Sequence, residues 1–494
     1  MKICIVGGGS AGWMTASTLV KCFPEWDITL VESDKVQPTG VGESTTQLFR
    51  NWLHLLELED EEWMSSCDAT YKLSVRFHNF HAIGDTPWQY PFGVPRESDI
   101  GCPEYFFYNK YLQGWDNNKF AEDYWLTAYC AANNLIPYDN RHFRLRQSSG
   151  FHFDAVKFAN WLRDKYALPR GVKRVIGHVD EFDGERVFIG DTFISADLFF
   201  DCTGFKSLLN DSEWVDYSDH LPNDRAWVTR IPYKDRDTQM VPVTDCTALS
   251  SGWVWNVPTW ERIGTGYNFS SKYQSEEDAL KEFVEYLDAD ENQSFRLIKY
   301  NTGRKKEIWN KNVVSIGLSA GFIEPLESNG LLSVHQFLVN FVSVMHNADR
   351  GVVTQYMRDN FNWISNNGFD VFRSFVNLHY ALTQRDDSPY WKAVGNIRYP
   401  DDGPGGPTTW MKDSITAAPE SFNENFHFKF EGMLCVMAGH GWNPFNDATY
   451  NNIQLYGGLD PAHPANPDNF YVPSWNLDNC EHTHSYYKRT IYAD

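Results

Sequence analysis

The stretch MKICIVGGGSAGWMTASTLVKCFPEWDITLVES, residues 1–33, decides the fold. KICIVGG is apolar and β-branched, AGWMTASTLVKC carries apolar residues at helical spacing, and DITLVES is strand-like again. The segment therefore reads as strand, turn, helix and strand, with the two strands parallel. The turn supplies Gly7, Gly9 and Gly12 in a GxGxxG pattern, and Glu32 ends the second strand 20 residues after Gly12 (32 − 12 = 20). Each has a mechanical reason: Gly7 permits the tight turn, Gly9 lets the backbone approach a pyrophosphate, and Gly12 lets the helix pack on the strand, while the helix N-terminus stabilises negative charge. Glu32 is suited to accept ribose hydroxyls and disfavours a 2′-phosphate. A lone GxGxxG is weak, but strand, helix and acid in register make a strong dinucleotide signature.

Two further segments favour FAD over NAD. TGVGEST, residues 39–45, brings Gly42, Glu43 and Ser44 close behind the first βαβ unit, where a flavin protein needs backbone near the cofactor. ISADLFFDCTG, residues 194–204, reads as a strand ending in a small-residue turn of the kind many FAD enzymes place near the nucleotide. The fold class expected is α/β: an FAD-binding, Rossmann-like lobe of the flavin monooxygenase type, interleaved with a mainly helical substrate lobe. The FAD-binding lobe is expected over 1–345 with a substrate-lobe insertion at about 80–145, and 346–494 as helical substrate lobe and loop-rich tail. The region from about 48 to 140 is expected to mix helices and loops. A Pro/Gly break, PDDGPGGP, comes after the helical stretch that begins beyond Arg350.

Composition bounds the function. The 494 residues carry a formal charge of −22, which opposes nucleic acid and anionic membranes as partners. Nine cysteines without a CxxC pair fit a reducing cytoplasm. The N-terminus is already a strand and a turn, leaving no room for a signal peptide, and no apolar run approaches the roughly 18 residues of a membrane span. A homo-oligomer is compatible with all of this. The 19 Trp, 25 Tyr and 34 Phe are on composition alone a large aromatic core and rim. His482 and His484 in the terminal HTH lack a ligand set at metal spacing and read as a solvated tail, so no metal site is expected.

Several segments taken together resemble the flavin-dependent halogenases of the tryptophan-halogenase family. They are GGGSAG with GVGEST, DATYKLSVRF around Lys72, SGWVWNVP at 251–258 and GLSAGFIEPLESNG at 317–330, with FHFDAVKFANWL and HYALTQRDDSPYW in support. The likeness runs from residue 1 to about 392, with an echo in MLCVMAGHGWNP at 433–444. SGWVWNVP is its most specific part: it corresponds to the family's GWxWxIP, with Val257 where isoleucine is usual.

The resemblance implies a chemistry. A separate flavin reductase delivers FADH2, which reacts with O2 and a halide (chloride, bromide or iodide) to give hypohalous acid. That acid travels internally to a small aromatic substrate in a second cavity. Lys72 matches the lysine that receives the hypohalous acid, and Glu327 the glutamate that stabilises the arenium cation and takes its proton. Asn329 and Gly330 stand where the family has the Thr-Gly pair whose amides hold the halide, so the side chain beside the halide is changed. Trp253 and Trp255, two apart on a strand, face one side and wall flavin from substrate. Phe92 matches a substrate-sandwiching aromatic, and Tyr90 stands where the family has histidine. Glu324 reads as a scaffold carboxylate. The alternatives are a flavin-dependent aromatic monooxygenase, which needs neither Lys72 nor the paired tryptophans, and a non-catalytic FAD-binding protein.

Overall fold

The computed structural model describes residues 1–36, 43–96, 117–141, 143–290, 292–346, 352–397, 430–441 and 474–493. Gly42 and most of TGVGEST lie outside the described residues, as does the end of MLCVMAGHGWNP.

The strand Lys2–Val6 sits inside a six-stranded sheet, in the order Trp309–Asn310, Val313–Ser315, Leu198–Asp201, Lys2–Val6, Asp27–Glu32 and Lys173–Ile176. Every pairing is parallel except that of Trp309–Asn310 with its neighbour. Alternate residues serve opposite faces, as the period of two requires. Ile3 and Ile5 join the main core under the helix Ser10–Cys22, while Cys4 and Val6 pack with Val31, Val187, Phe199 and Val313 beneath the antiparallel meander Glu181–Phe182, Arg186–Ile189 and Thr192–Ser195. Both faces are covered, which is why KICIV is almost uninterruptedly apolar.

A seven-stranded sheet forms the second layer, ordered Arg296–Lys299, Arg225–Ile231, Ile263–Phe269, Gly252–Pro258, Val243–Ala248, Ser74–His78 and Trp88–Pro91. The last two strands correct the expectation of helices and loops over 48–140. Four- and five-residue strands such as SVRFH and WQYP are too short to show a clean alternation, and their aromatics serve helices equally well. A three-stranded sheet, Glu43–Ser44, Gly150–Phe153 and Thr70–Lys72, bridges the glycine-rich N-terminal region to Lys72.

The helix Leu332–His346 packs on Ser10–Cys22, and the 27-residue helix Gln355–Ala381 packs on Leu332–His346 in turn. Thr354 caps the helix Gln355–Ala381 by accepting from the Met357 amide. The tail is not loop throughout: Cys480–His482 pairs with Leu135–Pro137, and Thr483–Thr490 is a helix. His484 is buried and paired with Asp237, so the solvated reading of the terminal HTH is corrected. The Asn/Asp/Pro-rich run before residue 480 masks the tyrosines that anchor the C-terminal helix: Tyr487 is buried and the Tyr492 ring stacks on Trp260 at 4.0 Å. No described helix is long and apolar enough to cross a membrane.

Candidate active site

A cleft of about 590 Å3 opens over the carboxyl ends of the parallel strands, lined by Gly7, Gly9, Glu32, Glu43, Ser44, Trp255, Gly317 and Gly330 among others. Gly7 holds φ +117°, and a Cβ there would lie 2.2 Å from the Cys202 carbonyl oxygen. A Cβ on Gly12 would lie 1.8 Å from the Gly7 carbonyl oxygen, so helix and turn touch through glycine. Gly9, the N-cap of Ser10–Cys22, has no atom within 4 Å of where a Cβ would stand. Glu32 accepts from Trp13 Nε1 at 3.2 Å and Arg174 Nε at 2.5 Å, which fixes its carboxylate at the end of its strand. Open space over a helix N-terminus, an oriented acid and room of this size fit a dinucleotide such as FAD. Glu43 is half-buried beside this space, and burial, with Asp154 adding to it, pushes its carboxyl up to about 7.

Lys72 ends a fully buried strand. Its Nζ donates to the Ser328 hydroxyl and, at 3.4 Å, to the Thr45 carbonyl, and it lies 4.9 Å from the centre of the Phe92 ring. Burial drives its pKa down to about 7 against the opposing pull of Glu327 and Cys246. Ser328 is also hydrogen-bonded by Ser44 at 2.9 Å, and Ser44 meets Thr244 at 2.8 Å. Thr244 Oγ1 in turn lies 2.7 Å from His152 Nε2. Lys72 and Glu327, 255 positions apart in sequence (327 − 72 = 255), thus meet through Ser328, which adopts φ +59° to turn its hydroxyl to the amine.

The two glutamates of GFIEPLESNG are both buried yet differently equipped. Glu324 Oε2 accepts from Asn223 and Asn268 at 2.7 Å and from Trp253 and Tyr380 at 2.8 Å, a scaffold node joining sheet and helix. Glu327 has its Oε1 2.7 Å from His379 Nε2. The His379 ring is enclosed by Phe77, Trp88 and Phe375, with centroids at 5.0, 5.7 and 5.2 Å. The amides of Asn329 and Gly330 meet no acceptor among the described residues, and the buried Asn329 Oδ1 meets no donor.

Trp253 and Trp255 do share a face, their rings 5.8 Å apart. Trp253 is buried in the core and tied to Glu324, while Trp255 borders the cleft. Gly266 lies opposite Trp255, and any Cβ there would be 2.4 Å from the indole. Tyr90 faces Phe375, centroids 5.4 Å apart, and Phe92 faces Lys72.

Residues 2–450 match the family model described as tryptophan halogenase. The chain belongs to the tryptophan halogenase family. It is 32% identical to the tryptophan 7-halogenase RebH of Lentzea aerocolonigenes over 90% of each chain, and 36% identical to the tryptophan 6-halogenase SttH of Streptomyces toxytricini over 81% of this chain and 82% of that one. The crystal structure of SttH superposes with a TM-score of 0.81, covering 98% of this chain and 99% of SttH at 30% identity. VirX1 in its apo form gives 0.83 at 38% identity, over 92% and 91%. The protein is a flavin-dependent halogenase with the α/β fold of that family.

Within this halogenase, the sequence did not single out His379, Ser328, Thr244 or His152 as site residues. HYALTQRDDSPYW was the available signal for His379, but nothing in it links the histidine to a carboxylate 52 residues upstream. Ser328 lay in plain view between Glu327 and Asn329; its left-handed backbone is what turns it to Lys72.

Proposed function

We propose that this halogenase halogenates an electron-rich arene, an indole, phenol or similar ring, with hypohalous acid passed to Lys72. FADH2 from a separate reductase would be held along Gly7, Gly9, Gly12, Glu32, Glu43 and Ser44 and, with O2 as the oxidant, would supply the oxidation of chloride, bromide or iodide. The single observation carrying the reading is a buried lysine whose pKa has fallen to about 7, held by the serine adjoining a buried glutamate.

The chain's own groups divide the work. A neutral Lys72 amine is nucleophilic enough to bind or take up electrophilic halogen, and its enclosure excludes the water that would consume the oxidant. Glu327 stabilises the cationic ring and takes the proton displaced by halogen, with His379 orienting it. The Asn329 and Gly330 amides seat the halide. Trp253 and Trp255 keep the arene from the cofactor, and Phe92 and Tyr90 hold its ring. The names of RebH and SttH put indole first among arenes to try.

The test supplies protein, FAD, reductase, NADH, O2 and each halide separately, and screens indoles and phenols by mass spectrometry. Regioselective halogenated product, lost in Lys72→Ala and in Glu327→Gln, is expected. Oxygenated product formed without halide would instead identify a monooxygenase, and flavin loading without any turnover a binding protein.

A further inference from the structure

The last described residues form a strap across the strand that carries Lys72. Tyr487, buried, accepts from the Tyr71 amide at 2.6 Å and lies 3.3 Å from the Tyr71 carbonyl, gripping the backbone one residue before Lys72. Tyr492 donates to the Ala69 carbonyl at 2.9 Å and stacks on Trp260, whose amide binds the Asp68 carbonyl. The strap enters through Cys480–His482, paired antiparallel with Leu135–Pro137. At that entry Cys480 Sγ lies 3.8 Å from Cys130 Sγ, which projects from the helix Leu126–Ala132.

The two thiols differ. Cys130 is buried and Cys480 half-buried, so Cys480 is the one an oxidant reaches. The hydrogen bond from Cys130 lowers the pKa of Cys480, while the same contact and burial raise that of Cys130. Closing the gap needs sulfur travel of about 1.8 Å, given an S–S bond of about 2.0 Å, within reach of a side-chain rotation. By contrast the thiols of Cys4, Cys67, Cys202 and Cys246 are buried and pushed upward by desolvation.

We propose that Cys130 and Cys480 are a peroxide-oxidisable pair whose disulfide fastens the C-terminal strap over the Lys72 strand. The oxidant is hydrogen peroxide. The Cys480 thiolate attacks one peroxide oxygen, forming an S–O bond as the O–O bond breaks and releasing hydroxide. The Cys130 sulfur then displaces that oxygen as a second hydroxide, the S–S bond forms, and the Cys130 proton goes to water. In sum two thiols and one H2O2 give one disulfide and two waters, and a dithiol reductant reverses it. The cross-link pins the strap seven residues before Tyr487 (487 − 480 = 7) and so suppresses the opening that frees Tyr71.

The full-length protein is treated with one equivalent of hydrogen peroxide, digested under non-reducing conditions, and monitored by amide hydrogen exchange before and after dithiothreitol. The expected result is a linked peptide pair containing Cys130 and Cys480, a loss of two titratable thiols that dithiothreitol restores, and exchange at Tyr71 slowed about tenfold in the oxidised form. In Cys130→Ser, Cys480 is expected to stop at a sulfenic acid that dimedone traps; in Cys480→Ser, Cys130 stays a thiol. Recovery of Cys480 joined elsewhere or free after peroxide overturns the proposal, and so does a Cys130–Cys480 link that leaves Tyr71 exchange unchanged.

Discussion

His379 Nε2 lies 2.7 Å from Glu327 Oε1, and neither side chain reaches solvent. The other ring nitrogen, Nδ1, lies 2.9 Å from the Phe375 carbonyl. A carbonyl only accepts, so Nδ1 bears a hydrogen, and the contact with Glu327 is made either by a full imidazolium or by a carboxylic acid facing a neutral ring. Glu327 is thereby held in one rotamer and given somewhere to share a proton. Glu327→Gln keeps size and shape but cannot accept a proton; kcat is expected to fall about 10²–10³-fold with the KM for the arene little changed. A KM effect with kcat intact would assign Glu327 to binding instead. His379→Phe leaves a buried carboxylate alone and is expected to cost about 3–5 kcal/mol of folding stability, read from denaturant unfolding.

Lys72 sets the pH dependence. Its folded pKa of about 7 lies below the ordinary 10.5, so it is protonated and unreactive in acid and a free amine above neutrality. Turnover under saturating substrate and halide is expected to rise about tenfold per pH unit below 7 and level off above it. A rate that falls as pH rises through 7 would mean the ammonium form is the active one. The same shift acts on stability. The unfolded chain binds this proton more tightly between about 7 and 10.5, so the cost of burying Lys72 is fully present below 7 and diminishes as pH rises toward 10.5. Lys72→Met is expected to melt above the parent at pH 6, by an amount that shrinks at pH 9.

The glycines of the turn separate folding from binding. Gly7→Ala forces a side chain into φ +117° and onto the Cys202 carbonyl, and is expected to cost about 2 kcal/mol or more of stability. Gly9 has ordinary backbone angles, φ −80° and ψ −170°, and empty space beyond it. Gly9→Ala is expected to melt like the parent and yet bind FAD at least about tenfold more weakly, by fluorescence titration. Equal FAD affinity in Gly9→Ala would mean that the cofactor does not approach this turn.

Chain distance decided how much was legible in the sequence. The turn Gly7–Gly12, the acid at Glu32 and the strand Leu198–Asp201 are local patterns with fixed periods, and each forms where its residues predict. Lys72, Glu327 and the Trp253–Trp255 pair came from matching motifs, because nothing near Lys72 in sequence hints at a partner 255 positions on. His379 and the Cys130–Cys480 contact stayed hidden for the same reason: sequence periodicity reports which face a residue takes, not what another element brings to that face. The strands Ser74–His78 and Trp88–Pro91 do not stand out in the sequence because each is too short to show a clean alternation, and Ser74–His78 is placed in its sheet by pairing with the distant Val243–Ala248.

Asn329 remains the position that separates this halogenase from the Thr-Gly pattern. Its amide and that of Gly330 donate to nothing among the described residues, while its own Oδ1 sits buried without a donor. A carbonyl dipole beside an anion seat opposes small, strongly hydrated chloride most, since chloride gives up more hydration on entering and concentrates its charge closer to that oxygen. Bromide and iodide are larger, cheaper to dehydrate and more polarisable. With equal chloride and bromide in competition, brominated product is expected to dominate, and Asn329→Thr, which keeps the amide and removes the carbonyl, is expected to raise the chlorinated share about tenfold, equivalent to about 1.4 kcal/mol. An unchanged product ratio in Asn329→Thr would remove the Asn329 side chain from the halide seat.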